Sequence, residues 1–153
     1  MSDERLELPG VSFRLGAWQD VLRDVDACDV VLTDPPYSER THAGFRSMTD
    51  YDPETIKAQE AKYGFACRNR MNYESISEDQ MAEFAAWCVG VSPSWCAVFG
   101  DHRTFNGWAA LFDGHGWMTF APVVWLKTDA PPRMAGEGPA SSAEYICVAR
   151  PRR

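Results

Sequence analysis

Residues 28 to 37 read Cys28-Asp29-Val30-Val31-Leu32-Thr33-Asp34-Pro35-Pro36-Tyr37, and this stretch decides the fold. The apolar run Val30-Val31-Leu32 is short and β-branched, the pattern of a strand covered on both faces in a parallel sheet. It stops at Asp34-Pro35-Pro36, because prolines have no amide to donate to a ladder. A carboxylate, two stiff residues and an aromatic ring therefore leave the C-terminal end of a predicted strand, where open α/β sheets place their ligands. Asp34-Pro35-Pro36-Tyr37 would arise by chance in roughly one chain of this length in a thousand. The plainer alternative is a Pro-rich turn in which Asp34 caps the local backbone and Tyr37 packs on a neighbour. The strand context favours the functional reading.

Upstream, Val11-Ser12-Phe13-Arg14-Leu15 alternates and predicts a short strand ending at Gly16. Trp18, Val21, Leu22 and Val25 share one face of a short helix. Downstream, residues 38 to 76 form a polar, Arg-containing insertion of the kind that carries binding loops. One helix fits inside it, with Asp52 as N-cap, Pro53 at its first position and Gly64 as its stop. Ser77 and Gln80 have capping-box spacing ahead of a stripe of Met81, Phe84, Ala85 and Cys88. Residues 95 to 99 predict a buried strand, and Asp101 caps a helix carrying Phe105, Trp108, Ala109 and Phe112. Residues 120 to 126 predict a strand, with Pro122 at an edge or bulge. Residues 129 to 142 read as a loop, and 143 to 149 as a last strand. The order predicts one α/β domain over residues 1 to 153, Rossmann-like, with a mostly parallel sheet and flanking helices.

The chain has 153 residues, a net charge of −7 and a pI near 4.9. Its 45% hydrophobic content, with 8 Phe, 5 Tyr and 6 Trp, suits a real core and excludes a disordered tail. No apolar run approaches the roughly 18–20 residues of a membrane span, and no secretory leader is legible. Five scattered cysteines without a CxxC argue against a disulfide framework or zinc site and suit a reducing cytoplasm. The first 101 residues hold 9 basic and 18 acidic residues, whereas the rest hold six and four. That balance opposes bulk coating of nucleic acid and leaves room for a local site.

Val30-Val31-Leu32-Thr33-Asp34-Pro35-Pro36-Tyr37 resembles the catalytic motif of S-adenosylmethionine-dependent amino-methyltransferases acting on DNA, of the N6-adenine or N4-cytosine type. Residues 15 to 22 resemble the segment before that motif, although Ala17 stands where the family usually has an acid. Residues 95 to 99, 123 to 127 and 144 to 150 resemble later strands of the same catalytic half. The resemblance implies methyl transfer from S-adenosylmethionine to the exocyclic amine of a DNA base, with adenine N6 favoured by the leading Asp. It implies that Asp34 and the Pro35 carbonyl accept hydrogen bonds from the amine. This localises its lone pair and stabilises the developing positive charge. Pro35 and Pro36 stiffen the loop. Tyr37 would stack on a flipped-out base. Asp34 is also the one residue assigned to the cofactor.

Arg40 and Arg46 are candidate phosphate contacts, as are Arg68 and Arg70, and ordinary surface arginines fit them equally. Lys127, Arg133, Arg150, Arg152 and Arg153 form a DNA-facing edge or simply keep the segment soluble. Gly114-His115-Gly116 reads as a helix-to-strand turn, and the six tryptophans as mostly core. The family's glycine-rich cofactor turn is absent. The resemblance places the strand at 11–15 at one sheet edge, separated in the sheet from the strand at 28–33 by two cofactor-binding strands, and those two are missing too. The fold is then an incomplete methyltransferase fold. A second chain or a homodimer supplies the rest, the first strand pairs elsewhere, or an edge is left bare. The rival reading is an inactive, shortened methyltransferase that binds DNA or a partner. A third is methylation of RNA or of a protein glutamine. A restriction–modification enzyme, a phage countermeasure and a regulatory methylase would all carry this signature.

Overall fold

Strands β3 (Val30–Thr33) and β4 (Trp95–Gly100) pair in parallel and set the frame of the molecule. The computed structural model describes residues 4–39, 74–128 and 142–152, together with 41, 54, 57, 58, 61 and 62. Two helices follow these strands: α2 (Glu78–Val91) and α3 (Phe105–Gly114). The chain then forms β5 (Trp117–Thr119), β6 (Val123–Leu126) and β7 (Ala143–Pro151). The five-stranded sheet has the order β3-β4-β7-β5, with β6 also on β7. β7 is antiparallel to β4, β5 and β6, so β3, β4, β5 and β6 share one direction and only β7 opposes them. This follows from the connections. Strand β4 reaches β5 through helix α3, a crossover that preserves direction, whereas no described helix separates β6 from β7.

Of the strand expected over 120–126 only β6 (Val123–Leu126) forms, and β5 (Trp117–Thr119), which the sequence did not predict, precedes it on the same edge of β7. Thr119 pairs with Ala149 and Val123 with Ile146, so residues 120–122 oppose one residue fewer on β7. That is a bulge, and Pro122, which cannot donate to a ladder, sits in it.

Helix α2 starts as its sequence predicts. The Gln80 amide donates to Ser77 Oγ at 3.2 Å, and the Ser77 amide to Gln80 Oε1 at 2.9 Å. Its stripe of Met81, Phe84, Ala85, Cys88 and Val91 is buried, as are Trp108 and Phe112 of α3. They close over Val31, Cys96, Val98, Trp117, Cys147 and Ala149 of the sheet. Trp18 and Trp87 pack beside Phe84, with ring centroids 5.1 and 5.5 Å from it. Helix α3 leaves through Gly116 at φ +78°, where a side chain would be strained, so Gly114-His115-Gly116 is the expected turn.

The other face of the sheet corrects the expectation that β3 is covered on both sides. Val31 is buried, but Val30 and Leu32 are 54% and 70% exposed. Trp95 and Trp125 are exposed too, so these two tryptophans are not core. The helices pack on one face only, and no described element covers the opposite one. β3 is also the terminal strand of the sheet.

The strand over 11–15 pairs elsewhere. β2 (Val11–Leu15) forms an antiparallel hairpin with β1 (Glu4–Leu8) through Pro9-Gly10, with Gly10 at φ +77°. Register places Leu6 opposite Phe13 and Leu8 opposite Val11. One hairpin face is thus Leu6, Leu8, Val11, Phe13 and Leu15, all exposed. The other face is polar: Ser12 donates to Glu7 at 2.7 Å, and Arg14 pairs with Asp24. The helix α1 (Trp18–Val21) is shorter than its sequence periodicity suggests. In the insertion, Glu54, Lys57, Ala58, Ala61 and Lys62 are helical, within the span predicted for a helix. Its predicted cap, Asp52, and stop, Gly64, lie outside the described residues.

Candidate active site

The Asp34-Pro35-Pro36-Tyr37 loop leaves the C-terminal end of β3. Asp34 is exposed, whereas Pro35, Pro36 and Tyr37 are half-buried. The loop is anchored behind the motif: the Ile76 amide donates to the Tyr37 carbonyl at 3.3 Å, tying it to the approach to α2. A carboxylate open to solvent on a loop held from behind can meet a ligand, with the Tyr37 phenol as its protein neighbour.

Tyr37 is held between two acids. Burial pushes its phenol well above the ordinary range, and the carboxylates of Asp34 and Glu144 push the same way. Its ring is therefore neutral at physiological pH. Glu144 comes from the start of β7, paired opposite Trp125, and its carboxylate forms an ion pair with Lys127. The Lys127 amide also donates to the Ser142 carbonyl at 2.7 Å. Asp34, Tyr37, Glu144 and Lys127 thus form one polar chain at this edge.

A second carboxylate stands at the end of the neighbouring strand. Asp101 follows β4 and is 8% exposed. Its Oδ1 accepts from the amides of Arg103 and Thr104, each at 2.9 Å, which starts the turn into α3. Its Oδ2 accepts from the Ser38 amide at 3.2 Å, the Thr41 hydroxyl at 2.7 Å and the Ser38 hydroxyl. Burial alone would raise this carboxyl. The hydrogen bonds from Ser38, Thr41, Thr104 and Arg103 outweigh burial and hold it well below the usual carboxylate range.

Of the residues singled out in the sequence, Asp34, Pro35, Pro36 and Tyr37 stand together at this edge. Arg40 and Arg46 lie outside the described residues, as do Arg68, Arg70, Arg133 and Arg153. Of the other described basic residues singled out, Lys127 reaches this edge and Arg150 and Arg152 do not. Lys127 is paired with Glu144, Arg152 lies 3.7 Å from Asp113, and the Arg150 guanidinium lies 5.6 Å over the Trp95 ring. Arg150 and Arg152 sit at the opposite end of the sheet, beside β5. Ser38, Thr41 and Glu144 carried no mark in the sequence. Asp101 did: like Asp34, it is an acid set directly after a strand, at the sheet end where open α/β sheets place their ligands.

The described cysteines 28, 88, 96 and 147 are free thiols. Among the described residues no group of three or more His, Cys, Asp or Glu side chains could hold a metal ion, and no helix is long and apolar enough to cross a membrane.

No protein-family model and no curated relative matches the sequence. The fold is similar to solved structures of M1.HpyAVI. The crystal structure of its SAM complex aligns with a TM-score of 0.50 at 16% identity, covering 88% of this chain and 48% of that one. A crystal structure titled as M1.HpyAVI alone gives 0.46 at 15%, covering 86% and 49%. The chain thus spans about half the length of these structures. At such identity the likeness establishes the shared α/β fold.

Proposed function

We propose that this chain is the amine-orienting part of a methyltransferase that moves a methyl group from S-adenosylmethionine to the exocyclic amine of a DNA base, adenine N6 by preference. The observation that carries this reading is the exposed Asp34 carboxylate at the end of β3, on a loop stiffened by two prolines and followed by a half-buried tyrosine. The SAM bound to M1.HpyAVI supports the choice of methyl donor.

The chemistry asks for two acceptors and a platform. An exocyclic amine is a poor nucleophile because its lone pair is delocalised into the ring. Asp34 would accept one amine hydrogen and the Pro35 carbonyl the other, drawing the nitrogen toward tetrahedral geometry and offsetting its growing positive charge. Pro35 and Pro36 fix φ, so the acceptors stay in place. The neutral Tyr37 ring would stack on the extruded base. Arg40 and Arg46 remain proposed phosphate contacts.

S-adenosylmethionine, when bound, supplies an electrophilic methyl. The residues in place fit its reacting end, where Asp34 offers an anion to a sulfonium. They do not fit its nucleoside end. The described glycines with positive φ are Gly10, Gly16 and Gly116, in the hairpin turn, before α1 and after α3. None leads from a strand of the main sheet into a helix, where a cofactor cradle would stand. We therefore propose that a complementary segment or second chain completes the cofactor site. A cytoplasmic setting belongs to the same proposal. Tight SAM binding by this chain alone in calorimetry would overturn the divided arrangement.

The lack of a cradle among the described residues also favours a second reading, a catalytically silent module that binds DNA or a partner. Methyl-transfer assays on DNA, with and without candidate partner chains and read out by base composition, separate the two. The first reading expects N6-methyladenine when the complementary part is present. The second expects DNA or partner binding and no methylated base.

A further inference from the structure

We infer that Asp101 is a positioning residue for the Asp34–Tyr37 loop, its two carboxylate oxygens joining that loop to the start of α3. This inference rests on the methyl-transfer reading above for its catalytic consequence, and on geometry alone for the tether.

The two oxygens divide the work. Oδ1 takes the amides of Arg103 and Thr104, and so belongs to the strand-to-helix turn of its own segment. Oδ2 takes the Ser38 amide, the Ser38 hydroxyl and the Thr41 hydroxyl, all from the segment directly after the tetrapeptide. The Thr41 amide in turn donates to the Ser38 carbonyl at 2.9 Å, so the loop leaves in a turn closed by its own backbone. A helix start needs only the first oxygen. The second would otherwise be a buried acceptor without a partner, which is costly, so the pairing strongly favours one loop position. Thr33 stands opposite Val98 in the parallel register, which brings the ends of β3 and β4 side by side. The tether enters at Ser38, and the Ile76 amide holds the carbonyl of Tyr37 itself. Catalysis by amine orientation depends on sub-ångström placement of acceptors, and small displacements are costly in rate. A buried, rigid anchor one residue beyond the stacking ring supplies that placement without touching substrate.

The test uses the full chain and two variants. In Asp101→Asn the amide oxygen can still serve Arg103 and Thr104, while the NH₂ group faces the Ser38 amide, donor against donor. The Ser38 and Thr41 hydroxyls can turn to accept, but that amide cannot. The double variant Ser38→Ala, Thr41→Val keeps Asp101 and the turn its Oδ1 holds ahead of α3 and removes both hydroxyl donors. Hydrogen–deuterium exchange read by mass spectrometry should accelerate about tenfold or more over residues 34–39 in both variants, while residues 105–114 keep the protection of the parent. Where the parent chain methylates DNA with its complementary part, both variants should lower kcat about tenfold or more and leave the KM for SAM within about twofold.

Unchanged exchange over 34–39 overturns the tether. Equal acceleration over 34–39 and 105–114 overturns it too, because Asp101 would then act on the fold at large. Accelerated exchange with an unchanged kcat overturns the positioning role. A parent chain that methylates nothing under any condition removes the functional reading and the positioning role with it, and the exchange result still decides the tether separately.

Discussion

The two faces of the sheet are unlike. On one, α2 and α3 bury Val31, Cys96, Val98, Cys147 and Ala149 beneath Phe84, Trp108 and Phe112. On the other, Val30, Leu32, Trp95 and Trp125 are exposed. Apolar side chains thus meet protein on one side and water on the other. The difference teaches that the helix-covered face holds the stability of this chain, whereas the exposed face adds little to it. The hairpin extends that contrast, since all five of its apolar side chains are exposed. The candidate site lies at the C-terminal ends of β3 and β4.

The largest expected effect tests the contrast directly. Phe112→Ala should lower the free energy of unfolding by about 3–5 kcal/mol in urea titration, because it opens a cavity in a closed core. Trp108→Ala should cost a similar amount. Trp125→Ala and Leu32→Lys on the bare face should stay within about 0.5 kcal/mol of the parent. Bare-face losses as large as the core losses would break the comparison.

A smaller effect concerns the two acids at the ends of adjacent strands. Asp101 has a folded value below the ordinary carboxylate value of about 3.9. Its contribution to stability is therefore complete above that value and lost as pH falls through the folded one. Denaturation midpoints measured from about pH 5 to 2 should fall less steeply for Asp101→Asn than for the parent. An identical acid limb would show that the Asp101 hydrogen bonds carry no linkage.

The smallest effect is chemical. Burial pushes the Cys147 thiol up to about 12. In Cys88 a hydrogen bond with Cys96 comes first, then burial, and the direction is the same. Both should resist iodoacetamide at about pH 8 until denaturant exposes them. Labelling of Cys147 in the native chain, read by mass spectrometry, would show that the covered face opens.

Much of this was legible beforehand. The end of β3 was marked by Pro35 and Pro36, the start of α2 by Ser77 and Gln80, and the core stripes by helical spacing, because each signal is local. β1 has only a weak local signal: Leu6 and Leu8 alternate ahead of Pro9-Gly10, but the charged residues around them mask the hairpin pattern. The bare side of β3 was not legible, since a short apolar run reads the same with one face covered or two. The site was half legible. Asp34 and Tyr37 stand together in the chain, but Glu144 and the Oδ2 contacts of Asp101 depend on which strand ends become neighbours, and that is set by sheet order.

The central claim is that Asp34 orients the acceptor amine. The most direct measurement is methyl transfer from labelled S-adenosylmethionine to DNA, with the complementary part present, comparing the parent with Asp34→Ala at matched circular dichroism. The account predicts N6-methyladenine from the parent and a loss of about a thousandfold or more in kcat from the variant. Near-parental turnover by Asp34→Ala would contradict it.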